Sequence, residues 1–320
     1  PSKLDLVFTA SIEEGHRIAE VSNLEPDTNY FYSIGNTQSN QQTHRFRTAP
    51  LTGSLPSDGD IRFWLLGDSG TATEFDRDGN PSHPGEAEAV LNGFLSYNSS
   101  IAGDQHIDGV LLLGDNAYPA GTDAEWQGAF FDIYPEILRS SVVLPTIGNH
   151  EMGVGPMNIC LFVDMLGCDL MGEIIIPLGG TSMSSDPNSY DSDGDGPDSE
   201  GLPYLNIFTL PTRGELGGAV SGTEQYYSSD FGNVHIISLD SQLSNSDEDL
   251  RSAMRDWLIA DLKASTQQDW KIVIFHHPPY SKGENHDSDL EQREIDMRTT
   301  FAPVFEEYGV DAVYSGHSHS

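Results

Sequence analysis

Five short polar motifs, each closing an apolar run, constrain this chain more than any other feature. They read G-D-S-G at 67–70, G-D-N-A-Y at 114–118, G-N-H-E at 148–151, F-H-H at 275–277 and G-H-S-H at 316–319. The runs ahead of them, 61–66, 110–113, 142–147, 271–275 and 310–314, predict buried strands. In open α/β sheets, ligand sites form beyond the carboxyl ends of the strands. Five strand ends carrying Asp, Asn, Tyr and His therefore predict one site, and its chemistry is metal chemistry. The glycine before each ligand has a local reason: the chain must turn sharply off a strand, where a Cβ would be in the way.

The donors are Asp68, Asp115, Tyr118, Asn149, His276, His317 and His319. They offer oxygen and imidazole nitrogen and no thiolate, which suits iron, manganese or zinc and argues against a thiolate-based structural zinc site. Seven donors are too many for one catalytic ion with an open position. Two ions about 3.5–4 Å apart, sharing a bridging carboxylate, use them all. Taken singly, each motif has a plainer reading, since Asp after Gly is a common turn former or helix cap. Taken jointly, five unrelated turns have no reason to draw on one ligand set.

In order and spacing, the five motifs resemble those of the metallophosphoesterase superfamily, also called calcineurin-like phosphoesterases. Tyr118, three positions after Asp115, makes the resemblance specific to purple acid phosphatases. The segment M-R-D-W-L-I-A-D-L-K-A-S at 254–265 is similar to the helix that precedes the fourth motif in that family. The resemblance implies an α/β fold, a four-layer sandwich of two mixed β-sheets flanked by helices. It implies Asp68, Tyr118 and His319 on iron(III), and Asn149, His276 and His317 on a divalent zinc, iron or manganese, with Asp115 bridging. Five positive charges against two aspartates, a tyrosinate and a hydroxide leave the cluster near +1, which attracts phosphate. Such a cluster supplies hydroxide in mildly acidic solution for in-line attack on phosphorus.

The leaving alkoxide needs a proton, and histidine suits both acid catalysis and phosphate binding. His150 adjoins ligand Asn149, and His286 lies ten residues after His276, where the resembling enzymes place a substrate-binding histidine. Plant-type members carry two adjacent histidines there, whereas this chain reads Asn285-His286-Asp287. Glu151 is expected to orient Asn149 or His150 from behind. His277 is expected to be structural, and His16, His44, His83 and His106 are assigned nothing.

The chain has 320 residues and a formal net charge of −35, with 15 basic against 50 acidic residues. That excludes a broad surface for nucleic acid or anionic membrane. No stretch approaches the roughly 18 apolar residues of a membrane span, and the chain opens as a strand rather than as a secretory signal. The acidic surface suggests an extracytoplasmic protein, secreted, periplasmic or at the cell surface, in a saline setting where repulsion of phosphate is screened. The oligomeric state is left open. The expected activity is a phosphoric-ester hydrolase acting on small substrates, most simply an acid phosphomonoesterase. A phosphodiesterase or nucleotide pyrophosphatase on the same site is the alternative, and a non-catalytic secreted binding module is the reading from a different class.

Residues 1–50 read as short strands at 4–10, 18–21, 30–35 and 44–48, followed by a linker at 51–59 and the catalytic domain at 60–320. The stretch L-E-P-D-T-N-Y-F-Y at 24–32 resembles fibronectin type III-like domains with their tyrosine corner. A whole sandwich of that kind needs about 100 residues, so the chain is expected to be cut at its front. Relatives continue past the position of His319, so it is expected to be cut at its back as well. Helices are expected at 86–97, 123–133, 246–263 and 290–308, the third with Leu250, Met254, Trp257 and Leu258 at core spacing and the last interrupted by Pro303. A hairpin joins 226–229 to 234–239.

Residues 167–222 form an insertion rich in Gly, Pro, Ser and Asp, expected to be an irregular surface loop near the rim. Inside it Asp191, Asp193 and Asp195 match the opening of a calcium loop. The twelfth position, where such a loop needs glutamate, is Leu202, so calcium stands beside a solvated acidic turn. Cys160 and Cys168 would lie about 12 Å apart on an unbroken helix, too far for a disulfide. A chain reversal at Gly167 would allow the bridge.

Overall fold

The structure is a computed structural model and describes residues 11–13, 16–34, 44–75, 78–101, 107–152, 202–243, 248–283 and 286–319. Two sheets carry the fold. The first joins β5 (Phe63–Leu66), β6 (Gly109–Leu112) and β7 (Val142–Pro145), all parallel, in the order β5-β6-β7. The second has the order β11-β10-β9-β8. In it β9 (Val234–Ser238), β10 (Trp270–Ile274) and β11 (Ala312–Tyr314) run parallel, and β8 (Tyr227–Phe231) returns antiparallel through a turn at Gly232 and Asn233.

The sheets meet face to face. The Tyr227 and Ser238 hydroxyls both donate to the Pro145 carbonyl, at 2.7 and 2.9 Å, and Thr146 Oγ1 donates to Leu239 O at 2.8 Å. Among the described residues β7 has a partner on one side only, and a proline at such an edge breaks no ladder with its missing N–H. Helices cover the outer faces. On α1 (Glu86–Ile101), Phe94 stacks on Trp64 of β5 with centroids 4.1 Å apart. Under the second sheet, α5 (Glu248–Ala264) buries Met254, Trp257, Leu258 and Leu262. On α7 (Ala302–Tyr308), Phe305 stacks on Phe275. The buried apolar residues form one core that includes Leu111, Leu112, Ile236, Ile237, Val273 and Phe275, each essentially without exposure. Among the described residues, no helix is long and apolar enough to cross a membrane.

Several expectations need correction. Leu250 is 40% exposed, and the buried positions of α5 begin only at Met254. The fifth motif strand is a sheet edge rather than a buried strand, with Val313 and Tyr314 half-exposed. The helices expected at 123–133 and 290–308 both break into a short α-helix followed by a wide π turn. These are α2 (Asp123–Trp126) before Gln127–Phe131, which α3 (Pro135–Leu138) follows, and α6 (Gln292–Asp296) before Met297–Phe301. Pro303 then opens α7 in its first turn, where its missing N–H is harmless. The later part of the insertion is not a surface loop. α4 (Pro203–Ile207) buries Tyr204 and Leu205, with Leu202 and Leu210 buried beside it, and Tyr204 and Phe208 pack on Trp126.

Ahead of the sheets, β1 (Ser11–Glu13) pairs with β2 (His16–Ile18), and β3 (Asn29–Phe31) with β4 (Arg45–Arg47), both antiparallel. The strand expected at 18–21 is therefore displaced, and that at 4–10 lies outside the described residues. Glu25 N–H donates to the Tyr30 hydroxyl at 2.8 Å, which pins the turn before β3.

Candidate metal centre

The motif residues sit where the chain leaves the carboxyl ends of the parallel strands, and the backbone there is unusual. Among the described residues, five non-glycine residues have positive φ, and three belong to the motifs: Asp68 at 52°, Asp115 at 54° and His317 at 69°. The left-handed region costs a residue with a Cβ about 1–2 kcal/mol, and Asp and His are among those that tolerate it best. Glycine serves a second need, closeness. A Cβ on Gly148 would lie 2.2 Å from Asp115 Oδ1, and one on Gly316 would lie 2.4 Å from Asp68 Oδ2. Four of the motif loops thus pack in two pairs, backbone against carboxylate, with no room for a methyl group.

All seven sequence-predicted donors converge. Asp115 is in the middle: its Oδ2 lies 3.0 Å from His276 Nε2 and 3.4 Å from the Tyr118 hydroxyl. On one side Tyr118 lies 3.0 Å from His319 Nε2 and 3.5 Å from Asp68 Oδ1, and His319 lies 3.2 Å from Asp68 Oδ1. On the other, His276 Nε2 lies 3.1 Å from Asn149 Oδ1, and its ring centre is 5.0 Å from that of His317. The His317 backbone N–H donates to both Asp68 oxygens at 3.0 Å, which ties the fifth motif to the first.

The donor arrangement fits cations. His276 is fully buried and its Nδ1–H donates to the Leu113 carbonyl at 2.8 Å. Its neutral form therefore turns a bare Nε2 lone pair toward two further acceptors, Asp115 Oδ2 and Asn149 Oδ1. Three acceptors facing one another repel unless a positive charge stands among them. In the metal-free chain a proton takes that place. Burial pulls the His276 pKa down, but the Asp115 charge and hydrogen bond, with the Asp68 charge, raise it to about 9. The Tyr118 phenol is pushed far above its ordinary value by burial and by the charges of Asp115, Asp68 and Glu151. It becomes a phenolate ligand only if a strong cation offsets those charges. Asp68 is raised by burial and by Asp115. Asp115 is held well below the usual carboxylate range, since burial is outweighed by His276 and His150.

Both predicted catalytic histidines reach the centre. The His150 ring packs on Tyr118 at 4.2 Å, its Nδ1–H donates to Pro119 O at 2.7 Å, and its backbone N–H donates to Asp115 Oδ1 at 2.9 Å. Its Nε2 is left on the rim, 3.9 Å from Asp115 Oδ2. The His286 ring lies 3.8 Å from that of His317. His277 is buried, bonded through Nδ1 to Ser241 Oγ at 2.8 Å, and burial and the neighbouring imidazoles hold it neutral. His44 contacts Tyr32, and His83 lies beside Glu74 and Glu86, both away from the centre.

Glu151 holds backbone, not the side chains of Asn149 or His150 as expected. Its carboxylate accepts from Asp115 N, Asn116 N and Gly148 N at 2.7 Å each and from Ala117 N at 3.3 Å. One buried carboxylate thereby locks the second and third motif loops together. A further residue was not anticipated. Glu291 bonds His317 Nε2 at 3.0 Å and His286 Nδ1 at 2.8 Å. Its place in the acidic stretch Asp287-Ser288-Asp289-Leu290-Glu291 gives no sign of that role. Asp191, Asp193, Asp195, Cys160 and Cys168 lie outside the described residues. Leu202, at the twelfth position of the calcium-like run, is buried.

Purple acid phosphatase 1 of Ipomoea batatas is 27% identical to this chain over 311 residues, covering 94% of the chain and 50% of the relative. Fe(3+)-Zn(2+) purple acid phosphatase 12 of Arabidopsis thaliana is 26% identical, again over 94% of the chain and 50% of the relative. The chain thus spans about half the length of the curated relatives it matches. Among solved structures, the purple acid phosphatase PPD1 from yellow lupin seeds superposes with a TM-score of 0.54 at 16% identity. The match covers 86% of this chain and 40% of that one, and supports the fold alone. The family model for calcineurin-like phosphoesterases matches residues 61–320, which take in both sheets and all five motifs. The chain belongs to the calcineurin-like phosphoesterase family.

Proposed function

We propose that this protein hydrolyses phosphoric esters at a binuclear metal centre, as an acid phosphomonoesterase of the purple acid phosphatase type. The observation that carries the reading is Asp115 Oδ2, which lies within 3.4 Å of donors on both sides, Tyr118 and His276. Asp68, Tyr118 and His319 would hold an iron(III), as the name of the Arabidopsis relative suggests, and Asn149, His276 and His317 a divalent ion. When bound, the two ions neutralise phosphoryl charge and activate water.

The protein's own groups do the rest. His150 and His286 stand on opposite sides of the donor cluster, each with Nδ1–H committed to an oxygen of the chain. Each therefore presents Nε2 outward, free to bind a phosphoryl oxygen or deliver a proton to the departing alkoxide. Glu151 keeps the loops of Asp115 and Asn149 in register, so the donors do not reorganise as charge develops. The antiparallel pairs β1-β2 and β3-β4 are proposed to belong to a fibronectin type III-like unit. The formal charge of −35 is consistent with an extracytoplasmic setting.

Turnover of p-nitrophenyl phosphate against bis(p-nitrophenyl) phosphate by metal-loaded protein tests the reading. Preference for the monoester is expected. Preference for the bis-ester would favour a phosphodiesterase, and no turnover of either would point to a binding module.

A further inference from the structure

Glu291 belongs to none of the five motifs, yet it touches two imidazoles of the centre. It sits just ahead of α6 with extended backbone, φ −87° and ψ 124°, in the N-cap position. A polar side chain there ordinarily accepts from the first turn of its helix, but the Glu291 carboxylate makes no such bond. Its backbone is held independently, by Glu291 N–H to Asp287 O at 3.1 Å and Ile295 N–H to Glu291 O at 3.0 Å. The carboxylate is thus turned away from the helix, with one oxygen for each histidine. His317 Nε2 donates to Oε2 at 3.0 Å and His286 Nδ1 donates to Oε1 at 2.8 Å.

We propose that Glu291 is a positioning residue of the centre, fixing which nitrogen His317 offers to a cation and which His286 offers to substrate. A neutral imidazole has one N–H and one lone pair. With Nε2–H of His317 given to Glu291, Nδ1 is its only ligand atom. With Nδ1–H of His286 given to the same carboxylate, Nε2 is the nitrogen left to face a phosphoryl oxygen. The two rings, 3.8 Å apart, are held in one arrangement by a single side chain, so metal binding and substrate binding are linked through it. Carboxylates behind a metal-bound histidine commonly set its tautomer and raise its basicity. Here the same carboxylate also serves a histidine of the substrate rim.

The inference rests on the proposed binuclear hydrolase, and one arm of its test does not. Nitrogen-15 histidine spectra of the metal-free protein should show His286 as the Nδ1–H tautomer, the minor form of free histidine, and Glu291→Ala should return it to Nε2–H. In the metal-loaded enzyme, Glu291→Ala should weaken zinc at the second position by about 10–100-fold in chelator competition. At saturating metal it should raise KM for p-nitrophenyl phosphate by about tenfold, the loss of one charge-assisted hydrogen bond, and change kcat much less. Glu291→Gln, with one acceptor oxygen for two donors, should fall between. Asp289→Asn is the control, since Asp289 lies in the same loop but pairs with Lys282 and Arg298. Wild-type zinc affinity and KM in a folded Glu291→Ala protein would overturn the proposal, as would an Nε2–H His286 in the wild type. A wild type that binds no pair of ions would instead defeat the function, leaving the spectra to decide on Glu291.

Discussion

Glu151→Gln preserves shape and volume and should nonetheless cost about 3–5 kcal/mol of stability. The carboxylate is 1% exposed, and each oxygen serves two amides: Oε2 takes Asp115 N and Gly148 N, and Oε1 takes Asn116 N and Ala117 N. A glutamine keeps one oxygen and turns an NH2 group toward two N–H donors. Two bonds to a charged acceptor are lost, at about 1.5–3 kcal/mol each, and the surviving pair loses its charge. Burial and the Asp115 charge push Glu151 up to about 7 in the metal-free chain. All four partners are donors, however, so an acid proton on it has no acceptor, and the ionised form is the one that fits. For a domain of this size each kcal/mol moves Tm by about 2–4 °C, so a drop of roughly 6–20 °C is expected. Urea unfolding of metal-loaded wild type and variant, with unchanged m, gives the free energy directly. A difference below about 1 kcal/mol would refute the reasoning, since it would mean that the carboxyl is already neutral or the loops are held otherwise.

Other expectations concern pH, metal and salt. His276 is raised to about 9 in the metal-free chain, so its protonation stabilises the fold fully below the unfolded value of about 6.5 and fades as pH rises through 9. Bound metal replaces that proton, so urea midpoints between pH 6 and 9 should fall in the metal-free protein and fall less steeply once it is loaded. His235 has the same sign in the same window. Burial lowers it, but Asp230 and Asp261, each 2.7 Å away, raise it to about 9. This triad lies outside the metal centre, so its share of the pH dependence should persist with metal bound. His235→Gln should cost about 3–5 kcal/mol at pH 6 by leaving two buried aspartates without their cation. Tyr118→Phe should abolish visible charge-transfer absorption of the iron-loaded protein while leaving the circular dichroism unchanged. Activity and stability should hold or rise from dilute buffer to seawater salt, because screening weakens the self-repulsion of a −35 chain; a fall would contradict the saline setting.

The apolar runs and the residues ending them made both sheets and the convergence of the seven candidate donors legible in the sequence, because strand burial and ligand chemistry are each written in residue type. What the sequence hid depends on partners distant in the chain. Glu151 acts on amides of 115–117, more than thirty residues away, and any sequence supplies amides. Glu291 is one acid among several in its loop, singled out only by where α6 begins. The periodicity that marked Leu250 as core matches that of Met254 and Leu258, but the buried positions of α5 begin only at Met254. Residues 202–210 looked irregular because their few apolar side chains follow a long polar stretch, yet Leu202, Tyr204, Leu205 and Leu210 all enter the core. The strain at Asp68, Asp115 and His317 was equally invisible: the glycines before them suggested the turn, while a left-handed φ also falls on the residue after the glycine at all three, and Gly114 is the one of those glycines that shares it.

Anomalous diffraction from crystals of iron- and zinc-loaded protein addresses the metal centre most directly. Two peaks about 3.5–4 Å apart are expected, with Asp115 between them, Tyr118 beside the iron and His276 beside the zinc. A single peak, or metal bound away from Asp68, Asp115 and His276, would contradict the binuclear assignment.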